Sequence, residues 1–343
     1  MVKYKVSLIT SERKIEIQEI ELEEPADNQV LLKIETCAIC TLEQRLYRGA
    51  MKNYPFAGGH EAAGKVVKIG KNVKSVKEGD RAAIRLLTNC GECYYCRTGR
   101  ENQCNFSFNA MTHKGINGPG GLSEYMMTDS RAVFRVNDDL DPHFAALAEP
   151  LACCVHSVRN GKIGLGDDVV VIGAGIMGAL HIKLAKMQGA RVIVSEVDEE
   201  RLKIAKKMDA DILINSKNID LKEKIMEITE GRGADVVFCT AALPSLADEA
   251  IKITGKLGRV VLYSSFHPKD PIQLDVNAVH YSEMVITGSV NPGINDFNTA
   301  IRLLSLGFIN LDDLITGSYP FEKINDAFEK AIMPGSYRVL VNF

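Results

Sequence analysis

Four consecutive β-branched residues, Val169-Val-Val-Ile172, run directly into Gly173. Such a run is too apolar for a strand wet on one face and suits the centre of a parallel sheet covered on both. A helix is predicted from Ile176 to Gln188, ended by Gly189. Strands over Arg191–Glu196, Ile212–Ile214, Asp235–Cys239, Gly258–Tyr263 and Met284–Gly288 then alternate with helices over Glu199–Met208 and Leu221–Glu230. That alternation implies a parallel sheet. The first 150 residues follow a different period. Lys14–Ile20 alternates by twos, Val30–Ile34 follows the turn Pro25-Ala-Asp-Asn, and Gly64–Ile69 reads as another strand, so a β-rich domain is expected there.

The turn after the buried strand carries Gly173, Gly175 and Gly178 in the spacing G-x-G-x-x-G. The first glycine makes the tight turn, the second lets a pyrophosphate approach the backbone, and the third lets helix pack on strand. The helix opening at Ile176 and Met177 aims its free N–H groups and positive dipole end at that anion. Glu196 ends the next strand about 20 residues on, where an acid accepts hydrogen bonds from the ribose hydroxyls of a dinucleotide. Glu196 therefore favours NAD over NADP, whose 2'-phosphate would meet its charge. Arg191 and Arg201 are close enough in sequence to keep NADP open. The small residues Thr240 and Ala241, after the strand Asp235–Cys239, are expected to border the same crevice.

Length and charge add bounds. A chain of 343 residues suits two domains. A net charge of −3, with 25% charged and 46% hydrophobic residues, gives no reason to invoke nucleic acid or an anionic membrane surface. No uninterrupted apolar run reaches the ~18 residues of a membrane span, and the first residues lack a signal-peptide apolar core, so a cytoplasmic protein is expected. Nine cysteines in a reducing compartment point to metal rather than disulfides.

The cysteines sort by spacing. Cys90-Gly-Glu-Cys93-Tyr-Tyr-Cys96, followed by Cys104, places four thiols in a polar, turn-rich stretch able to close a tetrahedron around a structural zinc. Cys37-Ala-Ile-Cys40 and Gly58-Gly-His60-Glu61 lie at predicted element ends, where side chains converge. Cys239, Cys153 and Cys154 read as buried packing residues, and His156 as a structural histidine.

In this order, these motifs resemble the zinc-dependent medium-chain alcohol dehydrogenases, in the branch of sorbitol, polyol and threonine dehydrogenases. The resemblance also rests on Ala63-Gly64, Gly120-Gly121-Leu-Ser-Glu124-Tyr125, Glu149-Pro150-Leu151 and the C-terminal Tyr337-Arg-Val-Leu-Val-Asn-Phe343, and so covers nearly the whole chain. It implies an α/β fold: a Rossmann doubly wound parallel sheet over 151–290 and a β-rich GroES-like catalytic domain from 1–150 and 291–343. The catalytic domain carries the structural zinc lobe at about 88–105, and the substrate enters the cleft between the domains. The segment after Pro292 returns to the catalytic domain through a helix over Asp296–Leu306 and Leu314–Tyr319.

By position, the resemblance makes Cys40, His60, Glu61 and Glu149 the catalytic zinc set. Ser289 and Val290 come near the nicotinamide, and two Zn2+ ions are held per subunit. One thiolate, one imidazole and carboxylates leave an exchangeable position, as a catalytic zinc requires. Glu149 in place of a second cysteine resembles the polyol branch and makes a chelating vicinal diol a plausible substrate. A homotetramer or dimer is also implied.

One departure stands out. After the ligand cysteine the family has a small residue, then a Ser or Thr, an Asp, and a His two residues later; here stand Thr41, Leu42, Glu43 and Arg45. Leu42 can neither donate nor accept a proton. The expected routes for the substrate proton are zinc-bound water with Glu149 or Glu61 as base, or the Thr41 hydroxyl if it turns inward. The expected activity is hydride transfer from a secondary alcohol of a polyol, sugar or cyclitol to NAD+. The alternatives are an L-threonine-type amino-alcohol dehydrogenase, against which the missing family His at position 45 counts, and a non-catalytic nicotinamide-binding protein of the same fold.

Overall fold

The computed structural model describes residues 2–85, 87, 89–107, 112–266 and 270–343. Two compact units result: one from Met1–Ala152 with Gly293–Phe343, the other from Cys153–Pro292.

In the first unit, β1 (Lys3–Ser11) and β2 (Lys14–Glu21) form an antiparallel hairpin. Next come β3 (Gln29–Ala38), α1 (Thr41–Tyr47), β4 (Glu61–Ile69), β5 (Arg81–Ile84) and the short α2 (Tyr94–Arg97). The two-residue strands β6 (Thr112–His113) and β7 (Ile116–Asn117) pair with each other, and β8 (Tyr125–Asp129), β9 (Val133–Arg135) and α3 (Pro142–Ala146) follow. Helix α4 (Ala148–Gly161) leads into the second unit.

That unit holds β10 (Asp168–Ile172), α5 (Ile176–Met187), β11 (Arg191–Glu196), α6 (Glu199–Lys207), β12 (Ile212–Asn215) and α7 (Leu221–Ile228). It continues with β13 (Ala234–Cys239), α8 (Pro244–Ile253), β14 (Thr254–Leu262), α9 (Val276–Ser282) and β15 (Val285–Gly288). Back in the first unit lie α10 (Ile294–Ser305), β16 (Ile315–Pro320), α11 (Ile324–Ala331) and β17 (Arg338–Asn342).

The second unit is a six-stranded sheet in the order β12-β11-β10-β13-β14-β15, every pair parallel. All five residues of β10 are buried, as the unbroken apolar run requires of a strand covered on both faces. Strand order reverses between β10 and β13, and a ligand crevice opens outside the carboxyl ends of the strands at such a point.

The first unit's main sheet runs β16-β17-β3-β4-β5-β9, with β8 also on β3. Its core joins alternate residues of β3 (Val30, Leu32, Ile34) to Ile324 and Phe328 of α11 and to Val339 and Val341 of β17. Sequence reading found β3 and β4 short by several residues, because Glu35, Thr36 and the buried Glu61 broke the apolar pattern it relied on. Among the described residues no helix is long and apolar enough to cross a membrane.

Candidate metal centres and cofactor loop

Antiparallel pairing of β3 with β4 sets Ala38 opposite Glu61. Two residues beyond Ala38 the chain leaves the sheet at Cys40, the N-cap of α1, and His60 immediately precedes β4. Cys40 and His60-Glu61 thus meet because one strand ends where its neighbour begins. Glu149 joins them from the first turn of α4. Ligand atoms of His60, Glu61 and Glu149 lie within 4.8 Å of one another, as do those of Cys40, Glu43 and His60.

Two glycine pairs make room for this corner. Gly121 N–H donates to Gly59 O and Leu122 N–H to Gly58 O, both at 3.0 Å. A Cβ at Gly59, whose φ is +99°, would stand 2.3 Å from the Leu122 nitrogen, and one at Gly121 would stand 2.2 Å from Gly59 O. The loops interlock only as glycine.

Glu43 is fully buried on α1, and its Oε1 accepts from Gly59 N–H at 2.9 Å and from His60 Nδ1 at 3.0 Å. Facing a carboxylate, Nδ1 keeps its proton, so Nε2 is the nitrogen that a metal would take in exchange for a proton. Burial opposes the Glu43 charge, but His60 and the Gly59 amide outweigh it and hold the carboxyl below its usual range. Burial likewise opposes protonation of His60, and Glu43 and Cys40 together lift it well above its ordinary value. Burial and then Glu61 push the Cys40 thiol up. Glu61 is already claimed: Arg338 Nε donates to Oε2 at 2.7 Å and Nη2 to Oε1 at 2.6 Å, with both side chains buried. Arg338 Nη2 also lies 3.7 Å from Cys40 Sγ. His60 is thus common to two donor groups, one with Cys40 and one with Glu61 and Glu149, and Glu61 is shared with Arg338.

The second cluster suits a closed zinc site. Sγ atoms of Cys90, Cys93, Cys96 and Cys104 all lie within 4.8 Å of one another, and three pairs stand at 3.5, 3.6 and 3.8 Å. A tetrahedron with Zn–S bonds of about 2.3 Å has S···S edges of about 3.8 Å. Backbone N–H groups of Cys93 and Glu92 point at Cys90 Sγ, and those of Cys90 and Phe106 at Cys104 Sγ. The Arg131 guanidinium donates to Asn89 O, and its ionisation is favoured by Asp129 and by the sulfurs of Cys90 and Cys96. The donor set fits a dication carrying four thiolates.

In the second unit Gly173 turns with φ +91° at the end of β10, and Gly178 packs so closely that a Cβ there would lie 1.9 Å from Gly173 O. Gly175 caps α5 in an extended conformation, with only Arg201 Nη1 reaching 4.0 Å from where a Cβ would stand. That open space, ahead of the amides of Ile176 and Met177, can take a pyrophosphate. Glu196 is buried at the end of β11; its Oε2 accepts from Ala174 N–H at 2.8 Å, and its Oε1 from Val197 and Asp198 N–H. Arg201 Nη1 lies 3.8 Å from Glu196 Oε2.

Arg191 stands at the opposite end of the strand, paired with Asp168, and is out of reach of any ribose at Glu196. Thr240 donates its hydroxyl to Ile172 O and Gly173 O, pinning the loop, with Ala241 3.2 Å from the Gly173 Cβ direction. Ser289 N–H donates to Leu262 O, its Oγ is buried with no partner among the described residues, and the neighbouring Val290 is 52% exposed.

Residues 26–138 match the alcohol dehydrogenase GroES-like domain and residues 177–305 the zinc-binding dehydrogenase domain. The chain is 31% identical to a D-arabitol-phosphate dehydrogenase of Enterococcus avium, over 94% of this chain and 92% of that one. It is 32% identical to an L-threonine 3-dehydrogenase of Pyrococcus horikoshii, over 92% and 91%. The chain belongs to the zinc-type medium-chain alcohol dehydrogenases.

Solved structures of similar fold include a zinc-binding dehydrogenase of Sinorhizobium meliloti 1021 bound to NADP, at TM-score 0.91 and 26% identity over all of both chains. An alcohol dehydrogenase of E. coli CFT073 complexed with NADH matches at TM-score 0.91 and 28% identity, again over all of both chains. Leu42 is half-buried and packs on the first unit's core, Thr41 is exposed, and Arg45 is half-buried.

Sequence reasoning gave no role to Glu43 or Arg338. Glu43 had a signal, since it follows Cys40 by three residues on a helix and so shares its face. Arg338 had a weaker one, a lone cation opening an apolar strand. His156 lies 3.5 Å from the Asn160 side-chain amide, Cys154 and Cys239 are buried, and Cys153 is half-buried rather than fully so.

Proposed function

We propose that this alcohol dehydrogenase oxidises a secondary alcohol of a polyol, sugar or cyclitol, using NAD, a catalytic zinc held by Cys40, His60 and Glu149, and a structural zinc in the four-cysteine lobe. The observation that carries the reading is that two donor groups meet at His60, one with the Cys40 thiol and one with the carboxylates of Glu149 and Glu61, the latter paired with Arg338. Zinc held there supplies Lewis acidity toward an alcohol oxygen, and the nicotinamide supplies the hydride acceptor.

The chain's own residues do the rest. Glu43 fixes the ring and tautomer of His60, and Arg338 holds Glu61 through two hydrogen bonds. With Leu42 in the relay position, Glu149 is the acceptor for the substrate proton, and the Thr41 hydroxyl at the exposed start of α1 is the second route. Glu196 supports NAD, because its carboxylate is fixed where a 2'-phosphate would stand; Arg201 is the residue that could offset it.

The experiment is reduced-nicotinamide absorbance with zinc-loaded protein, NAD or NADP, and a panel of polyols, cyclitols, sugar phosphates, simple alcohols and L-threonine. Turnover with NAD and a vicinal diol supports the reading. Turnover with L-threonine alone, or silence despite bound zinc and NAD, overturns it. Glu149→Gln should remove the acidic limb of the pH–rate profile; unchanged turnover across pH would reject Glu149 as base.

A further inference from the structure

Within the first unit, residues 118–123 form a fully buried strap beside the loop that carries His60. Its backbone is zipped to residues 57–59: Gly120 N–H donates to Ala57 O, Gly121 N–H to Gly59 O and Leu122 N–H to Gly58 O, each at 3.0 Å. In the Cβ direction of Gly120 the three nearest atoms all belong to His113, with Cγ and Nδ1 at 2.3 Å. The same direction at Gly121 meets Gly59 O at 2.2 Å. Adjacent residues of one strap therefore press on the His113 ring and on the residue before His60, and only glycine lets the backbones come so close.

His113 is itself firmly placed. Lys114 and Gly115 join β6 to β7 with φ of +52° and +79°, the two positive values that a type I′ hairpin turn requires. Asn117 O, at the end of β7, accepts from Ala57 N–H at 2.8 Å, so the hairpin is tied to the same loop. The ring is buried, and its Nε2 meets the hydroxyl of Tyr4, a buried residue of β1, at 2.9 Å. From Leu122 onward the strap is held by β1, since Leu122 O accepts from Ser7 N–H and Glu124 N–H donates to Lys5 O. Ahead of that pairing, at Gly120, the imidazole is the backing. On the near side of the loop, Gly59 N–H and His60 Nδ1 share Glu43 Oε1.

We propose that His113 is a positioning residue for His60: its ring backs the strap at Gly120, the strap seats residues 57–59, and that loop sets where His60 presents its imidazole to a divalent metal. This rests on the metal reading of Cys40, His60 and Glu149 given above. His113 acts through backbone contacts and touches neither metal nor substrate.

The test uses the full chain with both metal sites loaded with Cd2+. Cadmium NMR separates a one-thiolate corner from a four-thiolate lobe, and chelator titration of each resonance gives the two affinities. Amide hydrogen exchange is followed at Gly121 and Leu122. His113→Ala should speed that exchange and weaken the corner by about tenfold, the low end of what a residue supporting a metal ligand contributes, with the lobe unchanged. Tyr4→Phe/His113→Phe keeps a ring against Gly120 and leaves no hydroxyl to satisfy, so it should lie near wild type. Gly120→Ala should also weaken the corner, and by less in the His113→Ala background, where no ring stands in its way.

Unchanged corner affinity in His113→Ala overturns the proposal, as does equal weakening of corner and lobe, which would mean general destabilisation. A loss in the double phenylalanine variant as large as in His113→Ala overturns the part given to the ring. Wild-type protein with no corner resonance overturns the metal reading itself, and the exchange rates then report separately on whether His113 backs the strap.

Discussion

Arg338 grips both carboxylate oxygens of Glu61, at 2.6 and 2.7 Å, from a strand 277 positions away in sequence. Both side chains are almost wholly buried, and the guanidinium is held charged by Glu61 and Cys40 against the cost of burial. Removing one partner of such a pair leaves an uncompensated charge in the core. Arg338→Met should therefore destabilise the metal-stripped protein by about 3–5 kcal/mol. The double variant with Glu61→Gln should recover much of that. Urea unfolding of the four corners of the cycle measures it, and equal losses in the single and double variants would show that the pair is not the source.

Two buried histidines make stability sensitive to acid. His181 donates from Nδ1 to Met177 O and accepts at Nε2 from Ser157 Oγ, and His113 Nε2 meets Tyr4 OH at 2.9 Å. Burial lowers both to about 4 from an ordinary 6.5, with Lys114 adding to the effect on His113. The unfolded chain therefore takes up protons first. The stabilisation is full above pH ~6.5 and is lost as pH falls toward ~4, by up to roughly 3 kcal/mol for each histidine. Thermal midpoints at pH 7.5 and pH 5 should differ less in His181→Gln than in wild type.

Leu257 sits in β14 with φ +62° and 71% of its surface exposed. A branched side chain in the left-handed region is strained, and an exposed one gains little from packing. Leu257→Gly should stabilise the second unit by about 0.5–1 kcal/mol, the relief of strain exceeding the greater chain entropy of glycine. Chemical denaturation monitored in that unit would show it, and a loss of stability would mean that the side chain has a packing role.

Gly178 tolerates no substitution without movement of α5, because a Cβ would overlap Gly173 O at 1.9 Å. Gly178→Ala should weaken NADH by at least about tenfold, or about 1.4 kcal/mol. Gly175→Ala meets nothing nearer than Arg201 at 4.0 Å, so it should fold normally and lose affinity only through contact with the bound pyrophosphate. Circular dichroism together with cofactor titration separates the two effects.

Much of this protein is written locally. The apolar run Val169–Ile172, the glycine spacing after it, the acid at Glu196 and the closely spaced cysteines of the lobe each act within about 25 residues, so sequence alone determined a buried strand, a glycine turn into a helix and a cluster of four thiols. Sequence could not decide what distant residues do to one another. Arg191 and Arg201 looked equivalent, but a strand separates its ends, and only Arg201 reaches Glu196.

Glu61, grouped with His60 and Glu149, also takes Arg338 from across the sheet as its ion-pair partner, Glu43 became a partner of His60 through the close approach of Gly59, and Glu101 found an amide 193 positions away. Those outcomes depend on which buried charges meet, and a buried charge is settled by its nearest partner in space rather than along the chain.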